Sequence, residues 1–114
     1  VAVAVTVVGC GKAGDAPSGA SGSAPRKGTI GVTLLSLQNP FFKVIGDHIT
    51  SEGKKNGYET LVVSADKDVA KQGNQVKDFI VKKVSAIVLS PADSKSIIPV
   101  IQEANEAGIP VFTV

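Results

Sequence analysis

The residues able to do chemistry fall in three short polar segments: Ser36, Gln38 and Asn39; Ser64, Asp66 and Asp68; Ser90, Asp93 and Ser94. Hydroxyl, amide and carboxylate groups of this kind exchange hydrogen bonds with hydroxyl groups. General acid–base or nucleophilic catalysis needs a titratable group poised beside a partner, and none of the three segments holds a free histidine, a cysteine or a lysine cluster. The chemistry to expect is reversible binding of a small hydroxylated molecule, without catalysis and without a cofactor or metal.

Each segment follows an apolar run and precedes a helical pattern, which is what brings them together. Residues 30–37 are almost continuously apolar, as in a strand covered on both faces. Asn39 then stands at an N-cap position and Pro40 at N1, where its missing N–H costs nothing. The spacing predicts a helix over residues 40–56 that turns Phe41, Ile45 and Ile49, with Phe42 and Gly46 beside them, toward a sheet. Lys54, Lys55, Asn56 and Gly57 supply a cationic last turn and a left-handed cap.

A second strand is expected over 58–63, and a helix follows Asp68 to about residue 83 with Val69, Gln72, Gly73, Val76, Phe79 and Ile80 at helical spacing. Residues 85–90 read as the third strand. Pro91 to Ser94 open a third helix with Ile97, Ile101 and Ala104 on one face and Gly108 as its cap, and residues 110–114 begin a fourth strand. Strands alternating with helices of this length imply right-handed crossovers and a parallel sheet. The fold expected is α/β, a three-layer Rossmann-like sheet of order 2-1-3-4. Ligands of such sheets bind beyond the carboxyl ends of the strands, so Asn39, Phe41 and Phe42 should face or flank the crevice.

Composition narrows the partners. The hydrophobic fraction of 43% and charged fraction of 19% are those of a globular domain, and 114 residues leave room for one. The net charge of +2 comes from scattered lysines, among them Lys82 and Lys83 at a predicted helix end, with no basic stripe interleaved with aromatics to contact nucleic acid. One cysteine and one histidine exclude a disulfide framework and a zinc site built from Cys and His alone.

The amino terminus has two readings. Gly9, Gly11 and Gly14 follow an apolar stretch in the spacing of a dinucleotide-binding loop, but that loop needs a helix opening at its last glycine. The next residues, 15–25, are small and proline-containing and cannot supply an amphipathic helix. The second reading takes Val7, Val8, Gly9 and Cys10 as a lipobox, and here the chain resembles a bacterial lipoprotein. That implies residues 1–9 as the remnant of a signal peptide, lipid attachment at Cys10, and residues 10–28 as a flexible Gly/Ser/Ala/Pro tether. Cys10 as an ordinary small residue in a tail is the bland alternative. The absence of an initiating methionine and the end within a strand read as two cut ends of a longer protein.

Residues 29–114 resemble the periplasmic sugar-binding proteins of the ribose/galactose type, the type I substrate-binding proteins of ABC importers. The matching blocks, in order, are Asn39-Pro40-Phe41-Phe42 after its strand, Lys55 to Tyr58, Ser64 to Asp66, Leu89 to Asp93, and Ala107 to Phe112. The resemblance implies an N-terminal sugar-binding subdomain, the first part of a two-domain trap that closes on a monosaccharide and hands it to a membrane permease. It implies that Asn39 hydrogen-bonds a sugar hydroxyl, that Phe41, Phe42 or both stack on the ring, and that Ser90 contacts ligand. Ser90 stands where the ribose-type pattern has an amide side chain and Leu35 where it has a hydroxyl, and both departures bear on which sugar is bound. An aspartate contact of the pattern would follow Val114. With half of the trap absent, a ligand would be contacted on one side and stay wet on the other, so residues 1–114 alone are expected to show no saturable sugar binding.

Each residue also has a purely structural role open to it. Asn39 can cap its helix and bind ligand at once; Phe42 can be core; Asp68 and Asp93 can be caps alone; His48 can be a partly solvated packing residue. At the level of the whole chain the competing functions are the effector domain of a LacI-type transcription regulator, a chemotaxis sugar receptor, and a nucleotide-binding enzyme. The regulator would need a helix-turn-helix before residue 29, where the Gly/Ser tract lies. The enzyme would need a phosphate loop after the first strand, where residues 36–40 contain neither glycine nor lysine.

Overall fold

The computed structural model describes residues 27–114. The expectations of a signal remnant, of lipid on Cys10 and of a tether fall on residues outside this span, apart from the tether's last two.

The described chain runs β1 (Gly28–Leu34), α1 (Pro40–Lys55), β2 (Tyr58–Ser64), α2 (Val69–Val81), β3 (Ala86–Leu89), α3 (Ile98–Glu106) and β4 (Val111–Thr113). All pairings are parallel and the sheet order is β2-β1-β3-β4, as the alternating pattern requires.

Helices cover both faces of the sheet, and strand alternation divides the side chains between them. Toward α2 and α3 point Gly31, Thr33, Leu61, Val63, Ile87 and Leu89, which enclose a core with Val76, Phe79, Ile97, Val100, Ala104 and Ile109. Toward α1 point Ile30, Leu34, Thr60 and Val62, where Gly46 and Gly53 let the helix backbone come close. Val32, Thr33 and Leu34 are wholly buried, which accounts for the continuous apolar run of the first strand.

The caps follow the sequence. Asn39 and Asp68 accept backbone N–H bonds from Phe41 and Lys71 at 2.9 Å each. Gly57 and Gly108 end α1 and α3 with φ of +87° and +81°, a region that favours glycine. Lys54 and Lys55 lie in the last turn of α1, and His48 is exposed.

Three expectations are corrected. Phe41 is 65% exposed and does not belong to the buried face of α1, which runs through Phe42, Ile45, Gly46, Ile49 and Gly53. The buried stripe begins at Phe42, and at 100° per residue the position before it lies off the sheet. β1 stops at Leu34, not at residue 37, because the Leu35 carbonyl turns to Lys67 and the Leu37 amide to the Ser64 hydroxyl at the end of β2. The third helix opens at Ile98 rather than beside Pro91. Pro99 offers no N–H and its ring would strike the carbonyl four residues earlier, so it must lie in the first turn. Asp93 instead caps the preceding turn, bonding the Ser96 amide at 3.1 Å and the Ser96 hydroxyl.

Candidate functional site

The carboxyl ends of β1 and β2 open into a cavity of about 530 Å³ lined by Leu35, Ser36, Gln38, Asn39, Phe42, Asp66 and Lys67. This is within the range of small-molecule sites, and it lies where parallel sheets bind ligands. Register explains why two distant loops meet there: Leu34 pairs with Ser64, so both strands end at the same level.

Asn39 has extended backbone (φ −86°, ψ 122°) before Pro40, and its Oδ1 accepts the Phe41 amide. The cap uses one lone pair. Among the described residues nothing takes the two hydrogens of its exposed Nδ2, so capping leaves a donor pair for a ligand. Phe42, in the first turn of α1, is half-buried and lines the cavity. Phe41 stands edge-on to it, ring centroids 5.2 Å apart at 80°, and does not line the cavity. Leu35 contributes an apolar wall.

Asp66 and Lys67 supply the charge. Both have left-handed backbone, φ 54° and 62°, unusual for residues other than glycine and concentrated at functional sites. The Asp66 carboxylate pairs with Lys71 and receives the Ser64 hydroxyl, and these hydrogen bonds hold its pKa below the ordinary 3.8. Asp93 is likewise lowered, by the Ser96 hydroxyl and amide.

Ser90 is 5% exposed at the end of β3 and does not line this cavity. Its N–H donates to the Thr33 carbonyl at 3.0 Å and its own carbonyl accepts from Gln72. Residues 91–94 do not join the cavity either. The structure thus gathers Asn39 and Phe42 with the β2–α2 connection and leaves Phe41 and Ser90 outside the lining.

Sequence reasoning missed a layer beneath the site. Gln72 is buried among Thr33, Ser90 and Ala92, while Gln75 accepts the Thr33 hydroxyl at 2.7 Å and donates to the Ser64 carbonyl at 2.8 Å. One signal was visible: Gln72 occupies an apolar position of its helix, and a polar group there must find partners.

Comparison with known proteins places this arrangement. A family model described as a periplasmic binding protein domain matches residues 30–114. The ribose import binding protein of Bacillus subtilis is 38% identical over 86 residues, 75% of this chain and 28% of that protein. The D-apiose import binding protein of Paraburkholderia graminis is 37% identical over 95 residues, 83% of this chain and 30% of that protein. An ABC transporter solute binding protein from Bacillus halodurans, solved with bound myo-inositol, superposes with a TM-score of 0.69 at 30% identity, covering 82% of this chain and 32% of that one. The chain therefore spans under a third of the length of these relatives. Sheet order, cavity position and the match over nearly all the described residues agree: the chain belongs to the periplasmic binding protein family.

Proposed function

We propose that this chain forms part of the substrate-binding component of an ABC importer, an exported lipoprotein that captures a monosaccharide or a similar polyol and delivers it to a membrane permease. The cavity at the ends of β1 and β2 carries the reading, with the Asn39 amide offering two donors and Phe42 an apolar surface. An amide can bond a sugar hydroxyl, and an aromatic ring can cover the C–H face of a pyranose or furanose. Phe41, exposed beside Phe42, would touch ligand only once a second wall closes over the cavity, and Ser90, buried outside the lining, has no contact with ligand in this arrangement. The names of the relatives, import proteins for ribose and apiose, support this class of ligand.

Calorimetric titration of the protein as cells make it, with D-ribose, D-apiose and myo-inositol, tests the reading. One-site saturable binding of one of them is expected, at least about tenfold weaker in Asn39→Asp, which keeps the cap acceptor but loses the amide donors. Absence of binding to all three, or an unaltered affinity in that variant, would count against it. The lipid at Cys10 is tested separately by metabolic labelling with a fatty-acid analogue: label should enter the native protein and be absent from Cys10→Ser.

A further inference from the structure

We infer that Ser64 is the positioning residue of this cavity, a three-way clamp that holds the loop carrying Asn39 to the end of β2. The inference rests on the cavity being the ligand site proposed above.

A serine hydroxyl has one hydrogen and two lone pairs, and Ser64 uses all three. Its hydrogen goes to Asp66 Oδ1 at 2.5 Å, and its oxygen accepts the Leu37 amide at 3.1 Å and the Asp66 amide at 3.3 Å. Leu37 lies two residues before Asn39. The clamp is itself anchored twice on α2: Gln75 Nε2 holds the Ser64 carbonyl, and Lys71 pairs with the second oxygen of Asp66.

Lys67 completes the attachment. Its N–H donates to the Leu35 carbonyl at 2.9 Å, so residue 37 is held by the end of β2 and residue 35 by the connection that follows it. That bond requires the left-handed backbone of Asp66 and Lys67, a conformation that costs energy for a lysine and persists because the surrounding bonds enforce it. Because Asp66 takes the only hydrogen of Ser64, the lone pairs are left facing the two amides. Hydrogen bonds to sugar hydroxyls are directional, so a loop fixed before binding loses less ordering entropy when ligand arrives.

The experiment compares Ser64→Ala, Ser64→Thr and Asp66→Ala in the protein as cells make it, reading amide hydrogen exchange at Leu37, D-ribose affinity and thermal midpoint. Ser64→Ala should speed Leu37 exchange at least about tenfold and weaken D-ribose roughly three- to tenfold. Ser64→Thr, which keeps the hydroxyl, should restore both. Ile109→Val, a core change remote from the cavity, should lower the midpoint and leave both readouts alone. Should Ser64→Ala fail to fold, Asp66→Ala, at an exposed residue, removes the acceptor of the Ser64 hydrogen and should speed Leu37 exchange in the same direction. Unchanged Leu37 exchange, or a freed Leu37 with full affinity, overturns the clamp. If the wild type binds D-apiose or myo-inositol instead, that ligand takes the place of D-ribose; if it binds none of the three, the proposed function is in question, and Leu37 exchange alone upholds or overturns the clamp.

Discussion

Gln72 donates its Nε2 hydrogen to the Ser90 carbonyl at 2.9 Å while its Oε1 accepts the Ala92 amide at 2.8 Å, so one buried side chain of α2 pairs the backbone leaving β3. Gln75, one turn on, does the same for β2 through the Ser64 carbonyl, and both touch the Thr33 hydroxyl on β1. Two glutamines therefore tie together the ends of three strands beneath the cavity. A leucine of similar volume at position 72 would strand a buried carbonyl and a partly buried amide. Gln72→Leu should cost about 2–4 kcal/mol in urea unfolding, each lost partner costing about 1–3. A loss within experimental error would show that water replaces the side chain.

Asn39 separates two roles that one side chain performs. Asn39→Ala should lower stability by about 1 kcal/mol through the lost cap, whereas Asn39→Asp should hold it, an aspartate being an equal cap and favoured at a helix N-terminus. Equilibrium unfolding of the three proteins checks this, and an Asp variant as unstable as the Ala variant would show that the cap geometry is not what Asn39 supplies.

Gly31 is set by its neighbour. A Cβ at this position would lie 2.7 Å from the Phe79 ring, itself 1% exposed and unable to retreat. Gly31→Ala should destabilise by about 1–3 kcal/mol, the usual cost of overpacking. Adding Phe79→Leu should recover part of that loss. Simple additivity of the two changes in thermal unfolding would argue that they do not meet.

Acid should act on two turns. The folded pKa values of Asp66 and Asp93 lie below the ordinary 3.8, chiefly through the bonds from Lys71 and Ser64 to the first and from Ser96 to the second. A depressed carboxylate stabilises the fold at pH above its unfolded value and loses that contribution as pH falls through the folded one. The stability difference between wild type and Asp66→Asn should therefore be steady from neutral pH to about 5 and shrink below 3.8. Denaturant midpoints at pH 7, 5 and 3 test it. A difference that grows toward acid would reverse the sign.

Much of this fold was legible because its signals are local. Asn39 before Pro40, Asp68 before Val69, and Gly57 and Gly108 after their helices each place an element end within a few residues of its cause. Where a local pattern was ambiguous, reading failed: residues 35–37 are apolar enough for a strand, and Pro91 could open a helix as readily as Pro99. Asn39 and Phe42 line one cavity because a single turn holds both.

The cavity's other half was legible only as a polar segment at the same sheet edge. What makes Asp66 and Lys67 in particular its wall residues is the pairing of Leu34 with Ser64, thirty positions apart in the chain. Gln72 showed itself as a polar residue on an apolar stripe, yet its partners Thr33 and Ser90 lie 39 and 18 residues away. Helix periods, caps and strand alternation are written in neighbouring residues because backbone geometry is local. Which loops share a cavity, and which carbonyl a buried amide satisfies, depends on strand order and register, and those arise only when the whole sheet packs against its helices.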